Sequence, residues 1–200
     1  MMPYQEKDYK VNVPCGKSGI WEVSRFTVTH EDAELMRLRS IMSFSSRGRY
    51  VPEGEYTKLT RNGYIIMSDT PDEIRDHLYM IHEAKGEILI NGLGLGMVLN
   101  ACLKNPEVSH ATVIELSEDV IKLVGLHYKQ IYGDRLTIIQ ANALQYKPTK
   151  GVRYGAVWHD IWDEINADNI PDMIKLHRKY GRICDWQGSW CRYLCERGRA

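Results

Sequence analysis

The sequence has no net charge, no long apolar run and no paired-cysteine motif, and each absence narrows the class of protein. Lysine plus arginine number 26, and aspartate plus glutamate also number 26. Proteins dedicated to nucleic acids usually carry a basic surplus that neutralises phosphates, so there is no strong nucleic-acid signature. No run of about 18 apolar residues occurs, so no membrane-spanning helix is expected.

Five cysteines are scattered along the chain without a Cys-x-x-Cys pair. An odd number of unpaired cysteines is typical of reduced thiols, which predicts a cytoplasmic protein with free cysteines. Cys184, Cys191 and Cys195 follow His177 near the C-terminus. A zinc site there is an alternative, but the spacing matches no common ligand pattern, and no metal is predicted. The polar start, MMPYQEKDYK, lacks the apolar segment of a secretory signal.

The apolar pattern changes about one third of the way along the chain. Residues 1–69 contain an alternating strand, a helix capped by Thr29, and a hairpin with Asn62-Gly63 at its turn. Residues 70–200 then alternate short apolar strands and helices, starting with a helix that Thr70 is expected to cap. This alternation predicts an α/β domain with a mainly parallel, Rossmann-like sheet at 70–200. The strand, helix and hairpin at 1–69 form a small N-terminal element.

Three glycines lie on alternate positions between an apolar strand and a helix: Gly92, Gly94 and Gly96 in NGLGLGM. Glycine lets the backbone approach a ligand, and ligands in open parallel sheets lie beyond the carboxyl ends of strands. The dinucleotide fingerprint needs its third glycine five positions after the first, where this chain has Met97. The observed spacing is that of S-adenosylmethionine sites in class I methyltransferase-like folds. A glycine-rich turn that binds nothing is the alternative.

Polar side chains follow the next two strands. Glu115 ends the strand TVIEL, about twenty residues past the glycines, where a carboxylate can accept both ribose hydroxyls of a nucleoside. An ordinary exposed glutamate is the alternative. Asn142 follows the strand RLTIIQ, and its amide could pair with adenine. The alternative is that Asn142 only builds the turn.

Two carboxylates follow the fourth strand of the predicted sheet. Asp160 ends YGAVWHD, and Asp163 lies three residues later, at the same edge as the glycines. Carboxylates this close could bind an amine or act as its base. A strand-end aspartate that caps the next helix is the alternative. Trp162 lies between them and either packs in the core or stacks on a ring.

Five segments together resemble a known family: ILINGLGLGMVL, TVIELSEDVI, RLTIIQANAL, YGAVWHDIWDE and YGRICDWQGSW. Their order and spacing resemble the spermidine synthase-like branch of the class I S-adenosylmethionine-dependent methyltransferase superfamily, over about residues 59–190. That branch lacks the acid that other methyltransferases carry before the glycines, so Ile90 is expected. The resemblance implies a Rossmann-like class I methyltransferase fold, truncated at the C-terminus. The implied cofactor is S-adenosylmethionine or decarboxylated S-adenosylmethionine.

The resemblance also assigns roles to residues. Asp160 and Asp163 would be catalytic, holding and deprotonating the acceptor, while Trp162 and Gln187 would contact that acceptor. The cofactor-binding residues would be Gly92, Gly94, Gly96, Glu115, Leu116, Asn142, Ala143 and Asp160.

Some positions depart from the family pattern. Asn142 replaces an aspartate, Ser189 stands where an acid is expected, and Glu164 replaces a proline. We therefore predict a small methyltransferase that acts on a nitrogen or oxygen of a small-molecule acceptor. Two alternatives remain: an aminopropyltransferase that uses decarboxylated S-adenosylmethionine, and a non-catalytic protein that binds adenosine nucleosides. A homodimer is left open.

Overall fold

A computed structural model of the protein describes residues 9–42 and 50–198, which form two β-sheets with flanking helices. Most of the polar N-terminal stretch therefore lies outside the described residues. The strands are β1 (Gly16–Ser18), β2 (Trp21–Val28), β3 (Gly54–Arg61), β4 (Tyr64–Ser68), β5 (Gly86–Asn91), β6 (Val108–Glu115), β7 (Leu136–Gln140), β8 (Tyr154–His159) and β9 (Cys184–Ser189). The α-helices are α1 (His30–Met42), α2 (Pro71–Glu83), α3 (Met97–Lys104), α4 (Glu118–Val120), α5 (Leu126–Tyr132), α6 (Ile170–Tyr180) and α7 (Arg192–Arg197).

The larger sheet is parallel throughout, in the order β7-β6-β5-β8-β9, and confirms the predicted Rossmann-like architecture. The apolar side chains of β5 alternate between the two faces: Ile88 and Ile90 pack with α2 and α3, whereas Leu89 packs with α6. The chain leaves β5 toward β6 on one side and later returns to β8 on the other. This reversal creates a crevice between the ends of β5 and β8, where such sheets bind ligands.

The smaller sheet is antiparallel, in the order β1-β2-β3-β4. Its β3–β4 hairpin turns at Asn62 (φ 51°) and Gly63 (φ 82°), as predicted for a tight turn with two positive φ angles. The three-residue strand β1 was not predicted. Val23, Leu59 and Met67 share one hydrophobic cluster with the β5 side chains, so this sheet packs directly on the larger one. The boundary at residue 69 stays a prediction.

The two predicted helix caps differ in outcome. The Asp32 amide donates to Thr29 Oγ1 at 3.2 Å, which confirms Thr29 as a cap. Thr70 does occupy the position before Pro71, but its side chain makes no capping hydrogen bond. Its hydroxyl instead lies 3.1 Å from the Ser68 hydroxyl, because both side chains are buried together. The capping prediction for the Thr70 side chain is therefore wrong.

The structure also describes the cysteine side chains, the candidate metal ligands and the lengths of the helices. All five cysteines are free thiols, and four of them are buried. Across residues 9–42 and 50–198, no group of three His, Cys, Asp or Glu side chains could hold a metal ion. In the same ranges, every helix is too short or too polar to cross a bilayer.

Candidate functional site

A cavity of about 350 Å³ opens at the carboxyl ends of β5, β6, β7 and β8, where the strand order reverses. This size is within the usual range for a small-molecule site. Of the predicted site residues, it is lined by Gly92, Gly94, Glu115, Leu116, Asn142, Ala143, Asp160, Trp162 and Asp163. Gly96 and Gln187 do not line it. Topology thus brings together side chains from four loops that are far apart in the sequence.

The glycine positions are required by contacts within the protein. A Cβ on Gly92 (φ +96°) would lie 1.8 Å from the carbonyl oxygen of Asp160, so the β5 loop packs directly on the end of β8. A Cβ on Gly94 would meet the Met67 sulfur at 2.5 Å. Gly96 is the N-cap residue directly before α3, and a Cβ there would overlap the Tyr128 ring. Gly96 therefore serves the packing of α3 and is not part of the cavity wall.

The carboxylate of Glu115 joins two loops of the cavity. Its Oε2 accepts a hydrogen bond from the Leu93 amide at 2.8 Å, and its Oε1 accepts one from the Ser117 amide at 2.8 Å. Each carboxylate oxygen can accept a further hydrogen bond. Glu115 is thus a fixed acceptor beside the glycines, unlike the loosely exposed glutamate of the alternative interpretation. Its ribose-binding role stays a prediction.

Asn142 builds the turn after β7. Its Oδ1 accepts from the Leu144 amide at 2.9 Å, and its backbone oxygen accepts from the Tyr146 amide at 2.8 Å. The Lys179 ammonium of α6 donates to three carbonyl oxygens of the same segment, those of Ala143, Leu144 and Tyr146. The turn-building interpretation of Asn142 is therefore observed, and a contact with adenine stays a prediction.

Asp160 lies at the end of β8 and faces a histidine of α2. The His77 Nε2 is 3.8 Å from Asp160 Oδ2, which is too long for a hydrogen bond, and neither ring nitrogen of His77 has a partner. Burial lowers the pKa of His77 to about 3, so its ring is neutral. Burial, together with the charges of Asp76 and Glu115, raises the pKa of Asp160 to about 7. Asp160 can therefore exchange a proton near neutral pH.

Asp163 is not available as an isolated anion. It forms a salt bridge with Arg61 at the end of β3, 102 residues earlier in the chain. The Arg61 guanidinium also lies 5.5 Å from the centre of the Trp21 ring. Asp163 was predicted to hold the charge of an acceptor, but it already pairs with a positive side chain of the protein, Arg61. Trp162, next to Asp163, is partly buried and packs in two hydrophobic clusters.

Gln187 belongs to a polar chain between β8, β9 and α6 that does not line the cavity. Its Oε1 lies 3.3 Å from His159 Nε2, and its Nε2 donates to the His177 carbonyl at 3.0 Å. The other ring nitrogen of His159, Nδ1, is 2.8 Å from the side-chain nitrogen Nδ2 of Asn91. The fully buried His159 has a pKa lowered to about 3 by burial, so its ring is neutral and bridges Asn91 and Gln187. The proposed contact between Gln187 and an acceptor receives no support from this position.

The N-terminal sheet and α2 also contribute side chains to the cavity, which the sequence did not predict. Trp21, Met67 and His77 line it, as does Arg61, the one lysine or arginine among the described lining residues. No spacing signal marks these residues, because they meet the β5–β8 loops only after the two sheets pack. Five carboxylates line the same cavity: Glu73, Glu115, Asp160, Asp163 and Asp172. The cavity is therefore rich in negative charge.

Similar proteins were found by sequence and by structure, although no protein-family model matches the chain. A polyamine aminopropyltransferase of Prochlorococcus marinus (strain MIT 9312) is 28% identical over 134 residues, covering 61% of this chain and 47% of that protein. A second from strain MIT 9301 is 26% identical over 134 residues, with the same coverage. The chain spans about half the length of these curated relatives. They agree with the resemblance to the spermidine synthase-like branch.

Solved structures with a similar fold include a spermidine synthase from Thermotoga maritima, with 20% identity and a TM-score of 0.43. That match covers 72% of this chain and 44% of the synthase. An S-adenosylmethionine-dependent methyltransferase from Clostridium acetobutylicum has 13% identity and a TM-score of 0.40, covering 57% of this chain and 44% of that chain.

Proposed function

We propose that this protein is an S-adenosylmethionine-dependent transferase that moves a methyl group to a nitrogen or oxygen of a small-molecule acceptor. The observation that carries the proposal is the position of Glu115. Its carboxylate is fixed by amides of Leu93 and Ser117, directly beside the side-chain-free backbone of Gly92 and Gly94. A fixed carboxylate next to a glycine loop at a switch point fits a ribose diol.

The charges of the cavity fit this ligand. Carboxylates predominate along the wall, and an S-adenosyl sulfonium carries a positive charge that such a wall attracts. When bound, it would supply an electrophilic carbon whose bond to sulfur breaks as the acceptor attacks. Asp160 would orient the acceptor and take its proton, which its pKa of about 7 permits near neutral pH. His77, which is neutral and lies 3.8 Å from Asp160, would leave the proton on the aspartate and place no positive charge beside it.

The test of this proposal is nucleoside binding by a variant of Glu115. We expect the native protein to bind S-adenosylhomocysteine and Glu115→Gln to bind it about 10- to 100-fold more weakly, the scale of a lost charged hydrogen bond. Isothermal titration calorimetry measures both. Glu118→Gln is the matched control, because Glu118 is an exposed glutamate three residues later that pairs with Lys122. Equal affinities for native protein and Glu115→Gln would reject the ribose assignment.

Aminopropyl transfer from decarboxylated S-adenosylmethionine is the second candidate, because the curated relatives are polyamine aminopropyltransferases. A thermal-shift comparison separates the two candidates, since the tighter-bound nucleoside stabilises the protein more. A larger shift with S-adenosylmethionine supports methyl transfer, and a larger shift with the decarboxylated form supports aminopropyl transfer. Turnover products then identify the reaction: S-adenosylhomocysteine for methyl transfer, methylthioadenosine for aminopropyl transfer. Nucleoside binding with neither product would indicate a non-catalytic binding protein.

A further inference from the structure

We propose that Arg61 is a specificity-determining residue, which occupies Asp163 and so excludes acceptors that carry a second ammonium group. This inference rests on the proposed transferase function and identifies the acceptors that the site rejects. The Arg61 guanidinium pairs with Asp163, and both side chains line the cavity. They belong to the small antiparallel sheet and to the loop after β8, so the salt bridge spans the two sheets of the protein.

The position of Arg61 is fixed from two sides. In the backbone register Arg61 lies opposite Trp21 of β2, at the last pair of that ladder. Its guanidinium lies over the Trp21 ring at 5.5 Å, a distance at which a cation and an aromatic face attract each other. The Nη2 of the same guanidinium pairs with Asp163. Because Trp21 and Asp163 both contact this guanidinium, it acts as a resident cation of the cavity.

The two aspartates of the loop after β8 therefore differ in what they can bind. Asp160 has no lysine or arginine partner among the described residues, and the imidazole that faces it is neutral. Asp163 already has a positive partner. A ligand with one ammonium group can approach Asp160, whereas a second ammonium would have to displace Arg61 or lie beside it. Like charges repel, so the far ammonium of a linear diamine loses Asp163 as a partner.

The experiment compares a diamine with a monoamine of equal chain length. We would titrate 1,4-diaminobutane and 1-aminobutane into native protein, Arg61→Gln, Arg61→Lys and the double variant Arg61→Gln/Asp163→Asn. Each titration is done with and without S-adenosylhomocysteine. Arg61→Gln should bind the diamine about fivefold more tightly than native protein, the upper range for an exposed ion pair. It should bind the monoamine as native protein does.

The other variants separate charge from general damage. Arg61→Lys keeps the positive charge, so its affinity for the diamine should equal that of native protein. The double variant should bind the diamine no more tightly than native protein does, because it lacks the Asp163 carboxylate that Arg61→Gln releases. The inference is overturned if Arg61→Gln binds the diamine no better than native protein, or if Arg61→Lys or the double variant gains equally. S-adenosylhomocysteine titrated alone tests the proposed function separately, because the diamine gain of Arg61→Gln is measurable without it.

Discussion

At the scale of single residues, Asp160 carries the clearest consequence for activity. Its pKa, raised to about 7 by burial and by the charges of Asp76 and Glu115, places its titration in the working range of most enzymes. We expect kcat/KM to rise with pH through about 7, because only the carboxylate can take a proton from the acceptor. The positive charge of a bound sulfonium favours the carboxylate, so kcat should show a lower apparent pKa. Initial rates between pH 5.5 and 8.5 measure both.

The matched variant is Asp160→Asn, which keeps the shape of the side chain and cannot accept the proton. Its turnover should fall at least about 100-fold, the usual scale for general base catalysis, and its rate should lose the dependence on pH near 7. S-adenosylhomocysteine binding, measured by calorimetry, should remain. A variant that keeps a rise in rate near pH 7 would show that another group supplies the base.

At the scale of elements, regular hydrophobic patterns predicted most of the fold. The strands β5 to β9 and the β3–β4 hairpin were all expected, because apolar runs and Asn-Gly turns are local signals. Strand β1 was missed, since three residues give no periodicity. The chain between β6 and β7 is helical, but the segment Ile121–Gly125 between α4 and α5 is a π-helix. Hydrophobic periodicity does not distinguish a π-helix from an α-helix over five residues.

An interaction between elements supports the turn that holds Asn142. The Lys179 ammonium of α6 donates to the carbonyls of Ala143, Leu144 and Tyr146 at 2.8 to 3.0 Å. In Lys179→Met those three carbonyls lose their donor, and the segment should open more often. We expect amide hydrogen exchange at residues 141–146 to become about tenfold faster or more, the equivalent of roughly 1.4 kcal/mol of lost local stability.

The control for this prediction is Lys175→Met, which removes an exposed lysine one turn earlier on α6. Its exchange rates at residues 141–146 should match those of native protein. If both variants speed exchange equally, then the loss of positive charge on α6 is responsible, and the bonds to the carbonyls are not.

At the scale of the whole molecule, the position of the site was predictable but its detailed chemistry was not. Parallel strands bring their carboxyl ends to one edge, so the sequence alone placed Gly92, Glu115 and Asp160 together. The salt bridge between Arg61 and Asp163 joins residues 102 positions apart, on two different sheets. Which aspartate keeps a free charge therefore depends on how the sheets pack. Gln187 shows the same limit, because its strand β9 belongs to the sheet but its side chain contacts His159 and the His177 carbonyl and does not line the cavity.

Two buried histidines and the partly buried Asp160 should contribute strongly to the response of the whole fold to acid. The pKa values of His77 and His159 are lowered from 6.5 to about 3, so each contributes stability that is complete above pH 6.5 and lost as the pH falls toward 3. The pKa of Asp160 is raised from 3.8 to about 7, so its contribution is complete below pH 3.8 and lost as the pH rises through 7. Between pH 4.5 and 6.5 the two histidines outweigh the single aspartate. Native protein should therefore lose about 2 kcal/mol of unfolding free energy over that interval.

Urea unfolding at pH 6.5 and 4.5 tests this balance when each variant is compared with itself at the two pH values. His77→Leu should lose little stability between them, because one remaining histidine and Asp160 titrate in opposite directions. Asp160→Asn should lose about 5 kcal/mol, since both histidines then act unopposed. Leucine also removes two unpartnered nitrogens from the interior, so His77→Leu should be at least as stable as native protein at pH 6.5. If native protein and His77→Leu lose equal stability in acid, His77 does not remain neutral in the folded protein.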